Sequence, residues 1–159
     1  MPEKMCKLAD LANSEFRSNN VPKTNMKRAT VATKEEYDAI KCGLTNKKIV
    51  NQFSTIIGSI APKAQFKRPY PNYSSVHAVK TAQTFIKAML LLAKESEQLI
   101  KEILQEQYNK QIELFKDVPD KWKFGNLFTS SISNYNISAP FHRDTGNIKE
   151  TVNVIILTK

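Results

Sequence analysis

The residues best suited to do chemistry are His142 and Asp144, an imidazole and a carboxylate two positions apart. On an extended backbone, residues i and i+2 point to the same face, so both side chains can reach one ion. A histidine and a carboxylate on one face are two of the three ligands in the facial triad that holds non-haem ferrous iron. The spacing therefore predicts a partial metal site. The residues around this pair determine how strongly it indicates iron binding.

Other catalytic patterns are absent from the sequence. It contains no GxSxG motif, no Gly-rich phosphate loop and no HExxH motif. The only other histidine, His77, is expected to be a surface or helix-cap residue. Cys6 and Cys42 are too far apart for a CxxC metal site, and so few cysteines favour a reducing compartment. No apolar run is long enough to span a bilayer, so we expect a cytoplasmic protein without a membrane partner.

The positive charge is concentrated in the first part of the chain. The 159 residues carry a formal net charge of +9. Residues 1–94 contain 16 Lys and Arg against 6 Asp and Glu, whereas residues 95–159 contain 8 against 9. Such a field attracts phosphate backbones and acidic protein surfaces, although high lysine usage can also serve solubility alone. The basic residues expected to contact a partner are Lys47, Lys48, Lys63, Lys67, Arg68 and Arg143.

The elements that must position these residues follow from hydrophobic periodicity. Residues 1–33 keep no sustained period and are predicted to be a basic arm or a weakly ordered helix. Residues 34–159 are predicted to form one α+β domain, with helices within 34–118 and strands within 124–159. Apolar residues recur every three or four positions from about Lys80 to Val118, so a long helical region is predicted there. A break is expected between Gln105 and Lys110, because one rod would be about 60 Å long.

Two shorter helices are predicted before the long one. Thr33 begins a capping-box pattern, which predicts a helix that ends at Gly43. Asn46 is a second candidate cap, and the apolar residues that follow it predict a helix that stops before Pro62. The basic, proline-rich residues 62–74 are predicted to be an extended or irregular connection.

Two segments near the end of the sequence predict strands. Residues 124–137 lose the helical period and are rich in Phe, Thr, Ser and Ile. Residues 151–158 are a β-branched run of the kind found in buried strands. Open edges on such a small sheet invite pairing with another chain, so a homodimer through strand edges is a further prediction.

The residues from Phe128 to Asn147, with the run APFHRD near their end, resemble the front of the 2-oxoglutarate/Fe(II) dioxygenase core. The resemblance covers about residues 124–159 and is strongest to the phage and nucleic-acid-modifying branch related to the J-base and methylcytosine oxygenases. It implies that the helical N-terminal two-thirds pack on a small, incomplete, antiparallel sheet like a double-stranded β-helix. It also implies that His142 and Asp144 are the first two iron ligands, that Asn147 is a polar residue near the site, and that Fe(II) and 2-oxoglutarate would be the cofactors of an enzyme.

The resemblance is incomplete in the ligands that catalysis needs. Family members continue into several more strands that supply a distal histidine and an Arg or Lys for 2-oxoglutarate. No histidine follows Asp144 here, and we expect the Arg or Lys of those later strands to be missing as well. We therefore expect a binding protein without catalysis or cofactor, derived from a truncated dioxygenase. It would be a phage-type inhibitor, similar to an anti-CRISPR protein, whose basic N-terminal half engages a nucleoprotein or an acidic protein surface. The alternatives are a dioxygenase, or a fragment of one, that acts on nucleic acid, and a nucleic-acid-binding α+β domain with no oxygenase ancestry.

Overall fold

The structure of the protein is a computed structural model that describes residues 2–25, 38–39, 42–44, 53–60, 62, 71–135 and 151–158. These residues form helices and a small sheet, so the predicted mixed α+β class is confirmed, whereas packing on a double-stranded β-helix stays a prediction. The helices are α1 (Glu3–Arg17), α2 (Gln83–Ile103) and α3 (Gln105–Phe115). The strands are β1 (Thr24–Asn25), β2 (Phe53–Ile60), β3 (Asn72–Tyr73) and β4 (Ser130–Tyr135). Single 3₁₀ turns cover Ser75–Ala78, Lys80–Ala82 and Asp120–Trp122.

The chain divides into two compact units. The described residues of the first unit lie within Met1–Pro22, Ile56–Ser131 and Asp144–Lys159. Those of the second unit lie within Lys23–Thr55 and Ile132–Arg143. Helices α1, α2 and α3 and the segment 151–158 therefore belong to the first unit. No helix in the described ranges combines the length and the apolar character that crossing a membrane requires.

The core of the first unit lies where α1 packs against α2. The buried face of α1 repeats at intervals of three or four residues, and the ring of Phe16 at its end stacks on Phe85 with 5.9 Å between ring centres. Residues 1–33 had been predicted to be an arm or a weakly ordered helix, and residues 3–17 form a helix with a buried apolar face. Phe85, Phe124 and Leu127 are almost completely buried. Burial of one aromatic or leucine side chain contributes about 2 kcal/mol to the free energy of unfolding. The buried side chains between α1 and α2 therefore hold these two helices together.

The long helical region breaks at Leu104, one residue before the interval in which a break was predicted. Leu104 leaves the helical conformation, with φ −129° and ψ 56°. Its N–H still donates to Ile100 O (2.7 Å) and its carbonyl accepts from Tyr108 N–H (2.9 Å). The chain therefore changes direction at one residue without leaving these backbone groups unpaired.

Strand β2 is the centre of the small sheet, because β1, β3 and β4 all pair with it. In the first unit, β2 is antiparallel to β3, with Ser59 opposite Tyr73, and Ser59 N–H donates to Thr129 O just before β4 (2.7 Å). In the second unit, β2 is antiparallel to β1, with Ser54 opposite Thr24. A small antiparallel sheet is thus present, but three of its four described strands lie before residue 124, whereas strands were predicted only within residues 124–159.

The second unit contains the end of a helix where one was predicted. Asp38 and Ala39 are helical, and Cys42 N–H donates to Asp38 O (2.9 Å). Leu44 N–H donates to Ala39 O (2.9 Å) across Gly43, which has φ 70°. A glycine in this left-handed conformation is a common helix terminator, so the predicted end at Gly43 is confirmed.

The helix predicted from Asn46 to the residue before Pro62 is wrong over residues 53–60, which form β2. Its apolar spacing fits a helix, but Thr55, Ile56 and Ile57 are β-branched and favour a strand. Gly58 lies at φ 88°, a conformation that no α-helix contains. Three neighbouring strands then satisfy the backbone of β2, and these partners lie far away in the sequence.

The second correction concerns residues 151–158, which were predicted to be a buried strand. They are not part of any strand, and the side chains of Ile155 and Leu157 are 84% and 87% exposed. A β-branched run is buried only if another element covers it, and composition does not determine whether that happens.

Candidate functional site

The residues predicted from the sequence to carry function all lie outside the described residues. They are His142, Asp144, Asn147, Lys47, Lys48, Lys63, Lys67, Arg68 and Arg143. Their roles stay predictions, as do the proposed Fe(II) and 2-oxoglutarate. Among the residues that the structure does place, no group of three His, Cys, Asp or Glu side chains could hold a metal ion.

His77 is a structural acceptor rather than the surface or cap residue expected from the sequence. Its Nε2 accepts a hydrogen bond from Gly58 N–H (2.8 Å), and the Tyr73 ring lies against the imidazole with 4.3 Å between ring centres. The side chain is half-buried. Since the Nε2 lone pair is occupied, the neutral ring carries its proton on Nδ1.

Ser74 lies three residues before His77 but does not form a nucleophile–base pair with it. The Ser74 hydroxyl donates to Ile56 O (2.6 Å) and accepts from Val76 N–H (3.3 Å) at the start of a 3₁₀ turn. A serine nucleophile would have to give its proton to the base, and here both side chains are bound to backbone groups instead. This cluster therefore joins β2 to the residues that follow β3.

The state of His77 predicts how stability depends on pH. Burial lowers the pKa of the His77 imidazole below its usual value of 6.5. As the pH falls through 6.5, the unfolded chain binds a proton first, so the free energy of unfolding decreases until the pH reaches the lowered pKa of the folded protein. In His77→Gln, an amide oxygen can accept from Gly58 N–H without titrating. We expect urea unfolding at a series of pH values below 6.5 to show a weaker acid destabilisation in this variant than in the wild type.

A parallel loss of stability in the wild type and in His77→Gln would contradict this prediction, because it would assign the acid sensitivity to other groups. His142 is present in both proteins, so its titration cancels in the comparison.

Three lysines form a line along the exposed face of α2. Lys87, Lys94 and Lys101 are seven residues apart, and all three are exposed. Seven residues are nearly two helical turns, so each lysine lies about 10.5 Å beyond the last and only about 20° around the axis. The lysine row, as we call these three residues, therefore extends over about 21 Å on one side of the helix.

None of the three lysines forms an ion pair with another described residue. Lys101 Nζ lies 5.7 Å from the centre of the Tyr108 ring, a weak attraction that leaves its hydrogen-bond donors available. By contrast, Lys7, Lys110 and Lys116 are paired with glutamates three or four residues away.

The glutamates of α2 are engaged elsewhere. Glu95 is paired with Lys4 of α1. Glu97 accepts from Asn126 Nδ2 with both carboxylate oxygens, at 3.1 and 3.0 Å. Glu102 accepts from Gln98 Nε2 (2.7 Å) and is the acidic residue nearest in sequence to Lys101. The helix is thus neutral as a whole, but its positive charges share one face.

Two exposed leucines accompany the lysine row. Leu90 and Leu91 are 39% and 46% exposed, and Leu91 lies between Lys87 and Lys94 on the helix surface. A face with cations and a small apolar patch can bind an anionic partner that also offers apolar groups. The spacing of the lysines is visible in the sequence, but only the packing of α1 against the opposite side of α2 identifies their face as exposed.

Comparison with known proteins found no protein that is similar to this chain. No family model, no curated protein and no solved structure matches the chain.

Proposed function

We propose that the protein is a non-catalytic binding protein whose basic surface engages the nucleic acid of a nucleoprotein complex. The observation that carries the proposal is the lysine row, three exposed cations in line that no described carboxylate neutralises. An inhibitor that acts by occupying such a complex would use this surface.

The length of the lysine row suits a phosphate backbone. Duplex DNA carries one negative charge per about 1.7 Å of its axis, so a span of about 21 Å runs beside roughly six base pairs. Each lysine side chain is a flexible point charge that can adjust to the nearest phosphate. Contacts of this kind give affinity without sequence preference.

Leu90 and Leu91 favour a nucleoprotein over bare nucleic acid. Phosphates offer nothing to an apolar side chain, whereas a protein surface beside the phosphates does. The net charge of +9 adds long-range attraction toward any polyanion and speeds the encounter.

Removing the charges of the lysine row tests its role in binding. We expect the triple variant Lys87→Gln, Lys94→Gln, Lys101→Gln to bind a fluorescein-labelled 20-base-pair duplex about 100-fold more weakly than the wild type at low salt. Because each lost phosphate contact removes about 0.9 from the slope of log K against log salt, the slope should fall by nearly three. Fluorescence anisotropy across a salt series measures both quantities.

A matched control removes the same charge from other places. The variant Lys7→Gln, Lys110→Gln, Lys116→Gln has the same net charge but loses lysines that are paired with glutamates. Its affinity and salt slope should stay close to those of the wild type. Equal losses in the two triple variants would show that net charge alone drives binding, and a wild type that does not bind the duplex at low salt would refute the proposal.

A further inference from the structure

The segment 151–158 lies outside the helices and strands and is held in place at its start. Val152 N–H donates to Oε1 of Gln111 (3.1 Å), a buried residue of α3. The Nε2 of the same side chain donates to Leu127 O (2.8 Å), so its amide is bound at both ends. The segment therefore leaves the core of the first unit from a defined point.

Beyond that anchor, the backbone has no hydrogen-bond partner. Within the part of the chain that the structure describes, no hydrogen bond is made by the N–H or C=O groups of residues 153–158. Ile155 and Leu157 are the two most exposed large apolar side chains in this part of the chain, at 84% and 87%. An unpaired backbone with β-branched side chains can pair as a strand with another strand.

We infer that residues 152–158 of two copies of this chain pair as antiparallel strands about a two-fold axis at Ile155. This register places Val154 opposite Ile156 of the second copy and Ile155 opposite its own equivalent, so apolar residues face each other on both sides at the centre of the pair. Toward its ends, Leu157 lies opposite Asn153 and Val152 opposite Thr158. No residue from 151 to 158 is charged. Each copy carries a net charge of +9. The strand pair itself brings no like charges together, so two copies can meet at this segment.

The unpaired backbone fits a strand as the occupant, and the uncharged, apolar sequence of residues 151–158 favours a second copy. A helix or a lipid could cover Ile155 and Leu157 but could not pair the N–H and C=O groups between them. A two-fold strand pair uses the same edge of the segment in both chains. This edge is then covered in each copy, and no third copy can add to it.

The expected dimer is weak. Seven residues extend over about 23 Å, and one strand pair of this length buries less than a standard interface of about 1,600 Å². We therefore expect a dissociation constant in the micromolar range or above, so the fraction of dimer should rise with protein concentration. The inference uses none of the lysines of the lysine row and does not depend on the proposed function.

Sedimentation velocity over a wide range of protein concentrations provides the test. We expect the wild type to shift from monomer to dimer as the concentration rises. Ile155→Lys places two ammonium groups opposite each other at the two-fold axis, and we expect it to stay monomeric at concentrations where the wild type is mostly dimeric. Leu114→Lys, at an equally apolar position that is 44% exposed on α3, is the control and should dimerise like the wild type.

Amide hydrogen exchange at low and high concentration gives a second measurement on the wild type. Protection of residues 153–158 that appears only at high concentration would support the inference. A wild type that is monomeric at every concentration would overturn it. A dimer that Ile155→Lys leaves intact would overturn it as well, because the contact would then lie elsewhere.

Discussion

Gly58→Ala is expected to lower the free energy of unfolding by about 3–5 kcal/mol. A Cβ atom at this position would lie 2.5 Å from Thr129 O and 2.9 Å from Ser130 Cα, both backbone atoms. In addition, Gly58 has φ 88°, where an L-residue is strained. Strain and overpacking together cost about 3–5 kcal/mol, a large part of the stability of a domain of this size. Circular dichroism with urea unfolding measures the loss.

The neighbours of Gly58 cannot move aside to accept the methyl group. Its N–H is bound by His77 Nε2 and its carbonyl by Ser74 N–H (2.9 Å), while Ser59 N–H is bound to Thr129 O. Any shift that relieves the clash would break one of these hydrogen bonds.

Gly43→Ala separates the two causes of the loss. Gly43 also has a positive φ, at 70°, but a Cβ there would meet no atom within 4 Å. This variant should lose only about 1 kcal/mol, the cost of the left-handed conformation alone. Similar losses in the two variants would show that the close approach of Thr129 to Gly58 does not determine stability.

Gln111→Leu is expected to cost about 2–4 kcal/mol although the new side chain has nearly the same size. The buried amide of Gln111 donates to Leu127 O and accepts from Val152 N–H. Leucine satisfies neither group, and each polar group left unpaired costs about 1–3 kcal/mol. Urea unfolding measures the stability, and amide exchange at Val152 reports directly on the lost hydrogen bond.

Gln98→Leu is the control for this change. Gln98 is an exposed residue of α2 whose amide donates to Glu102, so its loss should change stability by less than about 0.5 kcal/mol. If Gln111→Leu were as stable as Gln98→Leu, the buried amide would not be what anchors the segment 151–158.

Local sequence determined α2, α3 and the helix end at Gly43, whereas residues 1–33 were predicted only as an arm or a weakly ordered helix. The repeat of apolar residues predicts helix through α2 and α3, and the predicted interruption is found at Leu104, one residue early. The helix end at Gly43 was also predictable, because a glycine in the left-handed conformation terminates a helix by hydrogen bonds within the same turn. In each case the bonds that form the element join residues a few positions apart.

The central strand of the sheet could not be predicted from local sequence in this way. The apolar spacing before Pro62 fits a helix as well as a strand, and residues 53–60 become β2 because β1, β3 and β4 lie beside them. The role of His77 was likewise hidden, since its partner Gly58 is 19 residues away in the sequence. The residues with the clearest motif, His142 and Asp144, lie outside the described part of the chain and keep their predicted roles.

By itself, then, the sequence determined the α+β class, the positive charge of the first part of the chain, the positions of α2 and α3 and the helix end at Gly43, because these depend on composition and on contacts between near neighbours. The tertiary structure alone decided that Lys87, Lys94 and Lys101 share an open face and that the backbone of residues 153–158 finds no hydrogen-bond partner within the described part of the chain. Both properties depend on which surfaces distant segments cover, and no local pattern encodes that.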